Sequence, residues 1–343
     1  MIPILEQSSG ELRDWFLQQG LPAYRAGQVR KWLFRKRAAG FEEMTDLGAA
    51  LREQLADAFQ VWTTRVARHE KADDGAEKLL LELHDAQRIE CVLLRDDKGH
   101  CTVCISTQVG CAMGCAFCAT GIDGVVRNLG CGEIIEQMLQ LQRILGPEER
   151  LSHVVVMGMG EPLLNLDALL PALADATDRD GLGISARRIT ISTVGLPEGI
   201  RRLARENCQY HLAVSLHAAD DTLRNEIVPA NRGFGIAAIL AAADDYFEQT
   251  GRRVTFEYVL LSGVNDQADH ARQLIQRLRG RPALVNLIPY NPVPGLPFRR
   301  PSPATTARFV EILIQGGLNV NIRHRKGDRI DAACGQLRRS GRS

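Results

Sequence analysis

No uncharged apolar run in these 343 residues approaches the roughly 20 that a membrane-spanning helix needs, and the opening Met-Ile-Pro-Ile-Leu-Glu-Gln has neither the basic nor the apolar region of a secretory leader. Proline is sparse, at 14 residues, and low-complexity tracts are missing, which excludes a collagen-like or disordered chain. Neither sign of charge is in surplus. Lys plus Arg number 42 against 41 Asp plus Glu, and the net charge of +1 taken alone argues against a polyanionic partner. Nine cysteines cannot all pair within one chain, and their scatter suits a reducing cytoplasm where thiols stay free for metals or catalysis. What the chain does have is apolar content, 45% against 24% charged, enough to offset chain entropy with a sizeable core. The length allows one large α/β domain with a small appendage, or two medium domains.

From Leu12 to about Phe59, Trp15, Phe16, Val29, Trp32, Leu33 and Phe34 recur near the helical period and predict a small helical unit over residues 1–60. Its middle carries Arg25, Arg30, Lys31, Arg35, Lys36 and Arg37 with no acidic residue, and Tyr24, Trp32 and Phe34 interleave. Such a run is ordinarily a solvated helix face; its functional counterpart is a phosphate-binding surface. Residues 61–100 alternate in the manner of strands, as in Lys78 to Leu83 and Arg88 to Leu94, and are expected to be a β-rich connector docked on the main domain.

Residues 101–338 are regular. Apolar runs at Cys101–Thr107, His153–Gly158, Arg188–Thr193, His211–Leu216, Val254–Leu260 and Leu284–Pro289 alternate with helical stretches, including Glu133–Leu145, Leu166–Ala176 and Ala268–Leu278. Six such units predict an α/β fold with a parallel sheet, either a partial (β/α)6 barrel or an open doubly wound sheet. In both, chemistry sits at the carboxyl ends of the strands. Residues 339–343 complete the chain as a basic tail.

The loop after the first of these strands contains Cys111, Cys115 and Cys118 in a C-x3-C-x2-C spacing. Three thiolates on one short loop can converge on a soft metal centre. Zinc usually asks for four protein ligands, and no second cysteine pair follows at zinc spacing. The other cysteines, at 91, 101, 104, 131, 208 and 334, are scattered singly. After the next strand comes Met157-Gly-Met-Gly160-Glu161-Pro-Leu-Leu-Asn165. Leu163 stands where a dinucleotide fingerprint needs its third glycine, so a Gly-Glu-Pro turn that bares backbone to a ligand fits better. Ser192, Ser215, Leu216, His217 and Asn291 follow at later strand ends. Each alone is an ordinary turn or capping residue; together they mark one rim.

The cysteine spacing, with Phe117 before the third cysteine, resembles the radical S-adenosylmethionine (SAM) superfamily. That resemblance implies a 4Fe–4S cluster on Cys111, Cys115 and Cys118, with SAM bound at the iron that lacks a protein ligand. Gly160 and Glu161 correspond to the turn that holds the SAM ammonium, and the rim residues from Ser192 to Asn291 to further SAM contacts. Four further strings resemble one family within it more closely: Cys104 to Cys111, Phe117 to Leu129, Met157 to Asn165, and Gly327-Asp-Arg-Ile-Asp-Ala-Ala-Cys334-Gly-Gln-Leu. They are similar to the RlmN adenine C2 methyltransferases of 23S ribosomal RNA and transfer RNA, whose near relatives, the Cfr enzymes, methylate C8. The resemblance implies two SAM molecules per turnover, one methylating Cys334 and the other generating the radical that takes a hydrogen from that methyl group. It also implies proton removal and a transient disulfide through Cys104, a proton acceptor at Glu90, an electron donor such as flavodoxin or ferredoxin, and a cytoplasmic, membrane-free monomer.

Cysteine is among the residues most often buried, so Cys91, Cys101, Cys131 and Cys208 are expected in the core. Cys334 lies in a Gly- and charge-rich segment suited to a mobile thiol. Cys104 could equally be strand interior, and Glu90 a solvated strand-edge carboxylate; only the resemblance makes them catalytic. A non-catalytic RNA-binding protein with a structural metal centre is the alternative from another class. Residues 21–40 and 321–343 together carry +11, so the rest of the chain carries −10. The balanced total hides two basic segments, which would flank the barrel mouth if the chain ends fold back over it.

Overall fold

The computed structural model describes residues 1–323, 326–327 and 330–338. The N-terminal unit comprises α1 (Ser9–Gln18), α2 (Tyr24–Phe34) and α3 (Ala49–Ala58), and parallel pairing of β1 (Ile2–Pro3) with β2 (Phe59–Gln60) brings its ends together. A reciprocal cap starts α1: Ser8 Oγ accepts the Glu11 N–H at 3.2 Å, and the Glu11 carboxylate accepts the Ser8 N–H at 2.8 Å. Leu12, Phe16, Val29 and Leu33 form the buried side of the bundle.

The next segment is not a docked connector. Strands β3 (Arg65–Lys71), β4 (Glu77–Glu82) and β5 (Arg88–Arg95) form an antiparallel meander whose last strand pairs with β6 (Cys101–Cys104), so the meander continues the main sheet. Strand β6 stops three residues short of the expected Thr107. The Gln137 side chain takes the Ser106 N–H at 2.7 Å and the Ser106 carbonyl at 3.0 Å, which removes this residue from the ladder. A small hairpin of β7 (Gln108–Gly110) and β8 (Val125–Asn128) then carries the cysteine loop.

The remaining elements alternate: α4 (Cys131–Arg143), β9 (Leu151–Val156), α5 (Leu166–Thr177), β10 (Ile189–Thr193), α6 (Pro197–Arg205) and β11 (His211–Ser215). There follow α7 (Asp221–Ile227), α8 (Gly235–Thr250), β12 (Val254–Leu260), α9 (Ala268–Leu278), β13 (Ala283–Pro289), α10 (Pro303–Gln315) and β14 (Val320–Ile322). Strands β6, β9, β10, β11, β12, β13 and β14 are parallel neighbours in chain order, so the six expected strands gain a short seventh at one edge. The sheet is a partial barrel, open between β14 and β3. Its central strands are buried on both faces, as in Leu212-Ala213-Val214 of β11, which explains their near-continuous apolar runs, whereas β3 at the edge is largely exposed. Among the described residues no helix is long and apolar enough to cross a membrane.

Helix α4 is enclosed between sheet and N-terminal unit, and most of its buried polar side chains tether other parts of the chain. The Glu136 carboxylate accepts the backbone N–H and hydroxyl of both Thr63 and Thr64 at 2.6–2.8 Å. Gln142 donates to the Phe34 carbonyl at 3.0 Å, and Glu6 accepts the Gly132 N–H at 2.8 Å. The basic run in and just after α2 serves the same seam. Arg30 is buried on Asp175 of α5 at 2.6 Å. Arg35 donates to the carbonyls of Leu182 and Arg179, and Arg37 to those of Leu145, Gly146 and Glu149.

Half of the six cations expected to meet solvent or RNA therefore dock the helical unit. Those loops precede β9 and β10, so the segment lies at the amino-terminal side of the sheet, away from the mouth it was expected to flank. The C-terminal basic segment is described only in part; Arg325, Arg329 and residues 339–343 fall outside the described residues. Replacing Arg30 by Ala leaves Asp175 largely buried without its counter-ion, and a loss of about 3 kcal/mol is expected in urea unfolding. Lys31→Ala, exposed on the same helix, should stay within about 0.5 kcal/mol of the parent.

Candidate active site

The carboxyl ends of the parallel strands surround a cavity of about 960 Å3. Cys111, Cys115 and Cys118 all face it, together with Gly160, Glu161, Ser192, Ser215, His217 and Asn291. The cysteine loop is held by backbone: the Cys111 N–H donates to Gly124, the Ala116 N–H to Ile227 and the Cys118 N–H to Cys115, each at 3.0 Å. Gly110, just before it, has φ +81, and a β-carbon there would sit 2.0 Å from the Gly124 carbonyl oxygen. Only glycine closes this hairpin.

Burial pushes the Cys111 thiol up to about 12 and raises Cys115 and Cys118 as well; for Cys115 the other two thiols add to the rise. Three such groups become thiolates together only against positive charge, as a metal centre provides. Among the described residues no three His, Cys, Asp or Glu side chains are grouped tightly enough for a single ion. Thiols that share a cavity wall without meeting at one point suit an iron–sulfur cube, which takes each thiolate on a separate iron, better than mononuclear zinc.

The Gly-Glu turn is built differently from its expected logic. A β-carbon at Gly158 would lie 2.6 Å from the Ile105 carbonyl, and one at Gly160, where φ is +105, would lie 2.7 Å from Gln108 Cβ. The glycines thus admit the chain's own β6–β7 connection, while Gly160 still borders the cavity. Glu161 is buried and its carboxylate accepts the N–H groups of Val194 at 2.8 Å and Leu163 at 3.1 Å. Burial outweighs these bonds and moves its pKa up to about 7.

His217, at φ +61, accepts the Val259 N–H on Nδ1 at 3.1 Å, so Nε2 carries the proton; burial pushes its pKa down to about 3 and keeps it neutral. Its ring meets Phe117 edge-on at 4.9 Å. Asn291 donates to the Cys334 carbonyl at 3.2 Å, while its Oδ1 is buried without a partner. Leu216 is the exception among the expected rim residues. Its side chain is fully buried, its N–H donates to the Glu257 carbonyl at 3.0 Å and its carbonyl accepts from Arg224 at 2.8 Å, so nothing of it is left for a ligand.

A second cavity, of about 800 Å3, adjoins the first and shares Met157, Ile288, Asn291, Arg323 and Cys334 with it. Cys104 lines this second cavity, so two of the singly placed cysteines, Cys104 and Cys334, share it, both unpaired. Burial first, and then Cys334, push the Cys104 thiol up to about 12. The segment bearing Cys334 is strapped across the mouth. The Gly335 carbonyl accepts from the Ala119 N–H at 2.8 Å, the Leu337 carbonyl from the Thr120 hydroxyl at 2.7 Å, and Pro292 O from the Gln336 amide at 3.0 Å.

Glu90 anchors the end of that strap. Its carboxylate accepts the Arg338 N–H at 2.7 Å and pairs with Lys78 at 2.9 Å. It is buried, with a raised pKa caused mainly by burial, and so is not a solvated edge carboxylate; nor is it among the walls of either cavity. Of the four cysteines expected in the core, Cys91 and Cys101 are buried, and Cys131 and Cys208 are half-buried.

Sequence reasoning missed Glu257 and Arg323, both cavity residues. A carboxylate inside the apolar run Val-Thr-Phe-Glu-Tyr-Val-Leu was the available signal. Glu257 pairs in register with Asn286, which donates to it at 2.9 and 3.1 Å, and Asn286 in turn with Asn321.

An unclosed parallel barrel with three cysteines and a Gly-Glu turn at its mouth defines a radical SAM enzyme, a class whose members bind a 4Fe–4S cluster and SAM. Comparison with known proteins agrees. The family described as the Radical SAM superfamily matches residues 105–275, and the Ribosomal RNA large subunit methyltransferase N-terminal domain matches residues 2–61. A probable dual-specificity RNA methyltransferase RlmN of Rhodopirellula baltica is 59% identical, covering 98% of this chain and 91% of that protein. Its namesake from Thermosynechococcus vestitus is 45% identical, covering 98% of both. The crystal structure of a radical SAM methyltransferase from Sphaerobacter thermophilus superimposes with a TM-score of 0.96 at 43% identity, covering 99% of this chain and 100% of that one. The chain belongs to the RlmN family of radical SAM RNA methyltransferases.

Gly110→Ala provides a direct check on the cysteine loop. Anaerobic reconstitution of this variant should give iron and sulfide contents far below the parent's, with an unchanged far-ultraviolet spectrum; full iron loading would show that the hairpin does not set the cysteine geometry.

Proposed function

We propose that this RNA methyltransferase acts on C2 of adenosine in 23S ribosomal RNA and in transfer RNA, through a methylated Cys334 and a transient disulfide with Cys104. The supporting observation is that these two cysteines, 230 positions apart in sequence, share one cavity that adjoins the cysteine-lined one. Adenine C2 is an electron-poor carbon and a weak nucleophile toward a sulfonium methyl group, so a radical route is required.

When bound, a 4Fe–4S cluster on Cys111, Cys115 and Cys118 supplies the electron that cleaves SAM to a hydrogen-abstracting radical. The chain's own residues then have separate tasks. Gly160 and Glu161 hold the SAM ammonium, a charge that would draw the Glu161 carboxyl back towards ionisation from its pKa of about 7. Ser192, Ser215, His217 and the unpartnered Asn291 Oδ1 orient the rest of the cofactor; His217 acts as a neutral donor through Nε2.

Cys334 Sγ carries the methyl carbon to C2, with the strap contacts to Ala119, Thr120 and Asn291 fixing its backbone over the cavity. As its thiolate, Cys104 removes the C2 proton from the adduct, whose unpaired electron leaves to a one-electron acceptor; that proton ends on the methylene carbon, making it methyl, as the carbon–sulfur bond breaks and Cys104 Sγ closes on Cys334 Sγ. Glu90, held on Lys78 and the Arg338 N–H, positions the strap; any proton it accepts must reach it through an intervening group.

Nucleoside mass spectrometry after reaction of the reconstituted enzyme with ribosomal and transfer RNA should show 2-methyladenosine; 8-methyladenosine would assign the Cfr regiochemistry instead. Cys118→Ala should lose both iron and methylation. Cys334→Ala should keep the iron and release deoxyadenosine poorly or not at all in product-forming turnover, with no methyl-cysteine in its peptides. A fully active Cys334→Ala enzyme would overturn the mechanism.

A further inference from the structure

The basic segment after α2 borders a second charged site, unrelated to the cysteines. Arg35, Arg37, Arg150 and Arg188 line a cleft of about 830 Å3 between the N-terminal unit and the starts of β9 and β10. No carboxylate is among its walls. Glu149 and Asp175, on the surrounding elements, are committed to Arg95 and Arg30, each at 2.6 Å, while Glu148 and Asp180 stand on the adjoining loops outside the walls. Arg150 and Arg188 are exposed, and neither is paired to a carboxylate among the described residues. Four guanidinium groups around one space repel one another, and an anion would relieve that cost.

The cleft is also constructed. Gly183, at φ +66, is a backbone position that favours glycine, and the Arg35 guanidinium lies directly against it, 2.5 Å from where a β-carbon would stand. The carbonyl bonds that Arg35 and Arg37 make do not exhaust their forks.

Arginine forks match phosphate oxygens, and no aromatic side chain is among the walls on which a base could stack. The fit is therefore to a backbone phosphate, not to a nucleotide as a whole. Strands β9 and β10, six and five residues long, separate the cleft from the mouth by roughly 15–20 Å at about 3.3 Å per residue, a distance that a folded RNA spans easily.

We infer that this arginine cleft binds a backbone phosphate of the RNA substrate, remote from the methylated base, an inference that rests on the RNA methyltransferase assignment. It anchors the RNA by its shape and charge, sequence-independently, where the family's N-terminal domain meets the barrel.

The test uses the reconstituted holoenzyme and the double variants Arg150→Ala/Arg188→Ala and Arg150→Lys/Arg188→Lys; Arg35 and Arg37 are left in place because they dock the helical unit. RNA affinity is measured over a salt series, and steady-state methylation alongside. The alanine double variant should lower the slope of log affinity against log salt by about 0.7–0.9, the loss of one phosphate contact, and raise KM with kcat unchanged; the lysine variant should recover much of both. An unchanged slope and KM would overturn the inference. A third arm titrates inorganic phosphate at constant ionic strength. If the alanine variant loses phosphate binding yet keeps the RNA slope, the cleft serves a small anion and the RNA assignment fails. A parent holoenzyme that methylates no RNA would instead refute the functional proposal, leaving the two failures distinct.

Discussion

The structure hangs on helix α4 and its buried polar side chains. A crossover helix enclosed on all sides ordinarily carries apolar residues; this one buries Glu133, Glu136, Gln137 and Gln142, and each finds its partners in a different part of the molecule. Glu133 grips Arg127 of the cysteine hairpin through two bonds of 2.7 and 2.8 Å. Gln137 draws Ser106 out of the sheet, and the freed Ser106 hydroxyl then bridges the Glu90 carbonyl at 2.7 Å and the Met159 N–H at 2.9 Å. Glu136 and Gln142 hold the N-terminal unit. Because a buried polar group left unpaired costs about 1–3 kcal/mol, these bonds oblige the meander, the hairpin and the helical unit to take one arrangement around α4.

The active site inherits that arrangement. The hairpin sets the cysteine loop, the Ser106 bridge sets the turn at Gly160, and the open sheet leaves its mouth to be covered by the segment carrying Cys334. The cover is held by backbone carbonyls and a few side-chain donors, with only modest apolar packing. Such a strap is cheaper to displace than a core element, which suits a segment that covers the mouth of a cavity. Its outer end is held by Glu90, a buried carboxylate kept in place by Lys78, so the element furthest from the mouth in sequence is tied to the one beside it in space.

Charge is used in a similar two-fold way. The cations in and just after α2 fall into those consumed in docking, chiefly Arg30, and those, like Arg35 and Arg37, whose bonds to carbonyls leave part of the fork for an anion. A carbonyl satisfies an N–H without neutralising the charge, so a docking arginine can remain a cation toward a ligand. The near-neutral total charge of the chain therefore carries no information about its polyanionic substrate.

The amino-acid sequence alone determined what depends on local spacing: the six parallel strands, the crossover helices, and the three cysteines on one loop at a strand end. It also brought Ser192, Ser215, His217 and Asn291 to one rim, because strand ends of a parallel sheet share an edge whatever the detailed register. It could not determine that Leu216 turns into the core, since one residue beyond a strand end reverses the side-chain direction, nor that residues 61–100 would extend the sheet instead of resting on it. The meeting of Cys104 with Cys334, the placing of Glu90 under the strap and the fate of each arginine in and just after α2 were decided by tertiary structure alone. Each is a contact between residues far apart in the chain, and whether a charged or polar side chain faces solvent or a distant carbonyl leaves no periodic trace in its own segment.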